Sequence, residues 1–328
     1  MARPGHIYGP VPSRRLGRSL GVDLVPLKTC TYDCIYCQLG RTTRRTVERR
    51  EWVPLEEVLA ELLPRLDDPV DWITLAGSGE PTLHARLGDL LREVRRRTDV
   101  PVAVLTNGSL LWQTEVQDQL LEADLVIPSL DAGDAALFRA INRPHESISF
   151  EAMVEGLVEF RRRYKGRYWL EIMVLGGHTA VEAEVRKLAR IVERIRPDRV
   201  QLNTATRPPA ESYAAAVPAG RLAELASLFD PPAEVIADRA PGGEAQAVGA
   251  GPEQVLAVLR RRPCSVDDLA RGLGLHPSEA VKCLEALRAD GRVTGSLSAG
   301  TWYYRAAGPP CPRCDGPTET DARGADSE

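Results

Sequence analysis

Six short apolar runs recur along the first two thirds of the chain, and the longer stretches between them are amphipathic. The runs are LGVDLVP (20–26), WITLAG (72–77), VPVAVLT (100–106), DLVIPSL (124–130), YWLEIMVL (168–175) and RVQLN (199–203). Helical patterns fill the gaps, among them LEEVLAELLPRL (55–66), LGDLLREVRRR (87–97) and EAEVRKLARIVERI (182–195). Parallel strands cannot be joined by a tight turn; they need a crossover, usually a helix. The alternation therefore predicts an α/β fold with a parallel sheet. Six units fall short of a closed eight-unit barrel. The expected core is a partial (β/α)6 TIM-like barrel, with an open sheet as the alternative. In either case, chemistry belongs at the C-terminal ends of the strands.

The texture changes at 237–252, ADRAPGGEAQAVGAGP, whose Gly, Ala and Pro read as a linker after a core of 1–236. Residues 253–305 then carry three helical patterns, EQVLAVLRRRP, SVDDLARGLGL and HPSEAVKCLEALRADG, followed by a hairpin pattern, RVTGSLSAGTWYYR. Three helices with a glycine turn before the third, then a hairpin, predict a C-terminal winged helix-turn-helix domain. Its third helix offers Glu279, Lys282, Glu285 and Arg288, and 253–305 hold eight Arg/Lys against six Asp/Glu. That is a poor footprint for duplex DNA, so docking or substrate presentation is the better expectation. Cys264 and Cys283 have no metal-ligand spacing, and Cys283 is expected to be a buried free thiol. The tail, 306–328, is polar and acidic and is expected to be disordered. Its CPRC (Cys311, Cys314) is at most half of a zinc ribbon.

No run approaches the roughly 18 apolar residues of a membrane helix, so the expected location is cytoplasmic. The seven cysteines are odd in number and clustered, which argues for metal or redox chemistry over a disulfide framework. The net charge of -4 hides an asymmetry: residues 1–50 carry +7 and the rest -11. The basic stretch is either a face for an anionic partner or a set of arginines paired with carboxylates.

Three cysteines, Cys30, Cys34 and Cys37, stand in the C-x3-C-x2-C stretch CTYDCIYC. A structural zinc site wants four ligands, which here would require borrowing Cys311 and Cys314. An iron–sulfur cubane held by three thiolates keeps one iron open for a ligand from outside the chain.

The triad, placed just after a first strand, resembles the signature of radical S-adenosylmethionine (SAM) enzymes. The resemblance implies a [4Fe-4S] cluster on Cys30, Cys34 and Cys37, with the open iron chelated by the amino and carboxyl groups of SAM. It implies reductive cleavage of SAM to a 5′-deoxyadenosyl radical that abstracts hydrogen from a substrate, and an electron donor such as flavodoxin or ferredoxin. Tyr36 matches an aromatic near the adenine. Ser78, Gly79 and Glu80 match the family's Gly-Gly-Glu loop, with serine for the first glycine, and Glu80 is expected to accept from the SAM ammonium. LTNGSL (105–110) places Asn107 at a strand end bordering the cofactor. PSLDA (128–132) offers Ser129 and Asp131 to the SAM ribose, a local turn or cap role remaining open for both. QLNTATRPP (201–209) offers Asn203, with Thr204 and Arg207, to SAM or substrate.

Over about residues 8–235 the motifs look most like a bacterial branch of the archaeal tRNA-wyosine synthase group. Those synthases carry a further cysteine set upstream; here no cysteine precedes Cys30. The resemblance implies modification of tRNA, another RNA or another anionic substrate. A competing reading is an iron–sulfur transcription regulator that binds DNA through the winged helix. A nucleotide-sized pocket would favour the enzyme.

Overall fold

The structure is a computed structural model that describes residues 5–237, 251–298 and 300–307. Its first strands are β1 (Ile7–Ser13), β2 (Gly17–Val22), the two-residue β3 (Thr29–Cys30) and β4 (Arg44–Arg45), and β5 (Trp72–Leu75). There follow β6 (Val102–Thr106), β7 (Leu125–Pro128), β8 (Arg167–Met173), β9 (Arg199–Asn203) and β10 (Glu234–Val235). The interleaved helices are α1 (Leu55–Leu62), α2 (Leu87–Arg95), α3 (Thr114–Leu120), α4 (Ala135–Ile141), α5 (Phe150–Arg163), α6 (Glu182–Ile195) and α7 (Ala219–Ala226).

An eight-stranded sheet runs β1-β2-β5-β6-β7-β8-β9-β10. From β2 onward every neighbour pair is parallel. Strand order follows chain order with no reversal, unlike a doubly wound sheet, whose order reverses at a switch point. β1 and β10 are the two edges. The helices bury single faces: α2 covers the sheet with Leu87, Leu90, Leu91 and Val94, and α6 with Val185, Leu188, Val192 and Ile195. Side-chain caps fix two helix starts, Asp134 accepting from the Leu137 N–H (2.9 Å) and Ser149 from the Ala152 N–H (3.1 Å).

All six expected parallel strands are present, but the first lies at Gly17–Val22 and not at 20–26. Asp23 leaves the sheet because its side chain is needed elsewhere, as described below. β1 was not expected. It contains Pro10 and Pro12, which are tolerated only where a strand needs no full hydrogen-bond ladder, as at this edge. It pairs antiparallel with β2.

The C-terminal segment forms α8 (Pro252–Leu259), α9 (Val266–Leu273), α10 (Pro277–Ala289) and an antiparallel hairpin of β11 (Val293–Ser298) and β12 (Thr301–Ala306). These are the elements the sequence predicts. They enclose their own core, including Val255, Leu259, Leu269, Leu284 and Val293. Cys264 is the fully buried thiol there; Cys283 is only partly covered, because it sits at the edge of that core. Most of the expected linker and the CPRC tail lie outside the described residues. Among the described residues no helix is long and apolar enough to cross a membrane.

The second core is not a separate body. Its helices α8 and α9 pack on β1, and Val11 of β1 joins its apolar cluster. The Tyr303 hydroxyl donates to the Thr206 carbonyl (2.9 Å). Arg261 Nε donates to Asp23 Oδ2 (2.7 Å), with both side chains buried, and its guanidinium lies 4.3 Å from the Tyr8 ring centre. Burial pushes the Asp23 carboxyl up, against the pull of Arg261. Removing one partner of such a pair leaves an uncompensated buried charge, at a cost of about 3–5 kcal/mol. Arg261→Met should therefore lower urea-unfolding stability by about that much. Without the guanidinium, Asp23 should bind a proton more readily folded than unfolded, so the loss should be larger at about pH 8 than at about pH 5. A deficit that is small and flat with pH would show that the pair does not hold the two cores together.

Candidate functional site

Cys30 ends β3, and Cys34 and Cys37 follow in the loop that closes when β4 pairs with β3. Two tight turns shape the loop: Cys37 N–H donates to the Cys34 carbonyl (3.1 Å) and Gly40 N–H to the Cys37 carbonyl (3.0 Å). Lys28 anchors it from a left-handed backbone conformation (φ +64°), unusual for a residue with a Cβ. Its N–H donates to the Ser78 carbonyl (2.6 Å), and its carbonyl accepts from Thr43 and Arg44 (3.2 and 3.1 Å). Its ammonium bonds the Gly40 carbonyl and lies 3.6 Å from Cys37 Sγ.

Each thiol has at least one side-chain N–H donor aimed at its sulfur. Asn107 Nδ2 lies 3.6 Å from Cys30 Sγ, Asn142 Nδ2 lies 3.5 Å from Cys34 Sγ, and Lys28 serves Cys37. Burial, then the Glu80 charge, pushes the Cys30 thiol up to about 12; burial, then Asp131, pushes Cys34 well up. Thiolates here therefore need a cationic group to balance them, and metal binding would release their protons. Among the described residues no three His, Cys, Asp or Glu side chains converge on a single-ion site. A four-iron cluster takes one thiolate per iron and so asks for a wider spacing. The donor set fits that group.

The second motif loop is locked onto the first. Glu80 N–H donates to the Thr29 carbonyl (3.1 Å), beside the Lys28–Ser78 bond. A Cβ on Gly79 would collide with the Thr29 carbonyl, and one on Gly77 (φ +123°) would collide with the Asp23 carboxylate. These two glycines are thus required by contact as well as by turn geometry. Ser78 contributes its backbone: its N–H donates to Asp23 Oδ1 (2.8 Å).

Glu80 is buried, and four donors of this chain already occupy it. Oε1 accepts from Thr82 N–H (3.0 Å), Thr82 Oγ1 (2.6 Å) and Thr106 Oγ1 (2.6 Å); Oε2 accepts from Asn107 N–H (2.7 Å). Oε1 is thereby filled, and Oε2 has capacity left for a ligand. Burial pushes its carboxyl up, and these bonds oppose that.

Asp131 also differs from expectation. It does not line the cleft but sits behind it, accepting from the Tyr36 hydroxyl, Asn142 Nδ2 (2.7 Å) and Met173 N–H (2.9 Å). It orients Tyr36, which does line the cleft. Ser129 and Asn203 line it too, Asn203 donating to Glu171 Oε1 (2.9 Å). The cleft has a volume of about 460 Å³, within the range of small-molecule sites. It brings together Cys30, Cys34, Cys37, Tyr36, Gly79, Glu80, Asn107, Ser129 and Asn203. Sequence reasoning missed Asn142, Lys28, Glu171 and Arg261. Each acts through contacts distant in the chain and has no local signal.

The basic N-terminal stretch divides. Arg15, Arg18, Arg41 and Arg49 pair with Glu171, Asp71, Glu211 and Glu115. Among the described residues Arg14 forms no ion pair, bonding Thr206 Oγ1 (2.9 Å) in the cleft wall.

Gly79→Ala should cost about 1–3 kcal/mol of stability and loosen the loop against the thiols. Gly220→Ala, in α7 with open space around it, should stabilise by about 0.5–1 kcal/mol. Thermal unfolding of the two variants checks this; equal effects would mean that Gly79 is not wedged on Thr29.

A sequence profile of the Radical SAM superfamily matches residues 24–190. A Brachyspira hyodysenteriae protein named GTPase Obg is 39% identical over 306 residues, 91% of this chain but 45% of that protein, so the chain spans less than half of that relative. A UPF0026 protein of Helicobacter pylori strain J99 is 33% identical over 306 residues, covering 92% of this chain and 97% of its own length. The solved structure of native anSMEcpe with bound AdoMet resembles the fold with a TM-score of 0.50 at 17% identity, over 66% of this chain and 63% of that one. With the profile covering just over half the chain, this protein belongs to the Radical SAM superfamily.

Proposed function

We propose that Cys30, Cys34 and Cys37 hold the cluster and that the cleft beside them holds SAM against the Ser78–Gly79–Glu80 loop. The side-chain N–H group aimed at each of the three sulfurs carries this reading, since such donors stabilise thiolates. When bound and reduced, the cluster would supply the electron that splits SAM into methionine and a 5′-deoxyadenosyl radical, which takes hydrogen from the substrate.

The chain's own residues bind and orient. Glu80 Oε2 and the carbonyls of the Gly77–Gly79 turn would accept from the SAM ammonium. Tyr36, held by Asp131, would lie along the adenine; Ser129 and Asn203 would meet the ribose. We read the core as a partial (β/α)6 barrel, and α8–α10 with their hairpin as a winged-helix module that seals its open side. The exposed face of α10 carries Glu279, Lys282, Glu285 and Arg288, charge-balanced and unsuited to phosphates. That favours sealing over DNA binding. The substrate is taken as anionic. The likeness to tRNA-wyosine synthases makes RNA or one of its nucleotides the first class to test, with a flavodoxin or ferredoxin as electron donor.

Anaerobically reconstituted protein should release methionine and 5′-deoxyadenosine from SAM on reduction. Cys34→Ala should lose both the cluster's visible absorbance and the cleavage. A complete cluster in that variant would remove the triad from the site.

A further inference from the structure

Five arginines line the cleft; Arg15 and Arg261 are paired with Glu171 and Asp23, and the other three are Arg14 in the β1–β2 turn, Arg207 after β9 and Arg262 after α8. Arg14 has only the Thr206 hydroxyl as side-chain partner. Arg207 donates to Gln38 Oε1 (3.3 Å), and its Nη2 stands 3.8 Å from Asp268 Oδ1, beyond hydrogen-bond range. Arg207 Nε is buried with no partner. Among the described residues the Arg262 guanidinium has neither an ion pair nor a hydrogen bond. Asp268 is itself engaged by the Ser265 N–H (3.2 Å).

Asp268 faces these guanidiniums, and Glu171, which also acts on Arg14, is already paired with Arg15, leaving a surplus of about two positive charges in a half-buried seam. Burial holds Arg14 and Arg207 below the ordinary arginine range, and the charge of Arg262 adds to this for both. Buried cations without counter-charge are costly. Guanidinium forks with free N–H groups match the oxygens of a phosphoryl group two at a time. Thr206 ties the seam together, accepting from Arg14 on its hydroxyl and from Tyr303 on its carbonyl. The receptor therefore exists only with the two cores joined.

We infer that Arg14, Arg207 and Arg262 form a binding site for the dianionic phosphate monoester of the substrate. A monoester matches the surplus charge; an internal phosphodiester or a carboxylate, with one negative charge, does not. The inference deepens the reading above by naming the group by which an anionic substrate is gripped, and it rests on that reading only for the word substrate.

The test is calorimetric titration of the full-length protein with methyl phosphate, dimethyl phosphate and acetate at low ionic strength. Methyl phosphate should bind at least about tenfold more tightly than the other two. Arg207→Ala and Arg262→Ala should each weaken it about tenfold or more, a shift of about 1.4 kcal/mol. Arg262→Lys keeps the charge and loses the fork, and should also weaken it. Circular dichroism confirms folding; should Arg207→Ala fail to fold, the two Arg262 variants decide. Absent binding, equal binding of the diester, or unchanged affinity in the Arg262 variants would overturn the inference. So would displacement of methyl phosphate by SAM one for one, with SAM affinity falling equally in the variants, because the arginines would then hold the SAM carboxylate. SAM cleavage by the wild-type protein is measured separately, so failure here leaves the cofactor assignment standing.

Discussion

The site depends on one buried carboxylate with two obligations. Asp23 Oδ1 holds the Ser78 N–H of the motif loop (2.8 Å), and Asp23 Oδ2 holds Arg261 of the second core (2.7 Å). The loop that faces the thiols and the helical segment that covers the cleft are therefore referenced to the same atom group. An apolar contact of equal volume could match such a pair in stability, but it would not fix direction or register as two opposed hydrogen bonds do. Gly77 completes the arrangement, since any Cβ there would occupy the space of the Asp23 carboxylate.

Around the thiols the same economy of long-range contacts recurs. Asn107 donates to Cys30 Sγ and to Thr31 Oγ1 (2.7 Å) while its backbone N–H holds Glu80 (2.7 Å). Asn142, the C-cap of α4, donates to Cys34 Sγ and to Asp131. Each asparagine thus ties one sulfur to one buried carboxylate. Cys30, Cys34 and Tyr36 are thus positioned by a strand end and a helix end as well as by the turns of their own loop.

What was legible in the sequence follows from what is local. Strand–helix alternation is periodic, so the six parallel strands and the helices α1, α2 and α6 could be read directly. The cysteine spacing is local too, and so is the Ser78–Gly79–Glu80 turn. β1 escaped because its prolines mimic a loop and only an edge position permits them. Asp131 was read as a ligand contact because its place at a strand end is visible, while its partners Tyr36 and Asn142 are not. The partners of Glu80 at Thr106 and Asn107 were hidden for the same reason. Cys264 is buried because its backbone pairs with Tyr304 of the hairpin, a contact between segments distant in the chain that no local pattern shows.

The span of the Asp23–Arg261 contact, 238 residues, has a consequence for the order in which the protein comes into being. Chains are made from the N-terminus and fold by domains as they emerge. The cysteine loop, the motif loop and most of the sheet are made well before Arg261 leaves the ribosome. Until then Asp23 is a buried anion without its counter-ion, β1 is an uncovered edge, and the cleft lacks a wall. The nascent chain consequently passes through a stage at which the thiols are assembled but accessible. Arrival of the C-terminal segment then adds the wall that Val258, Arg261 and Arg262 give the cleft.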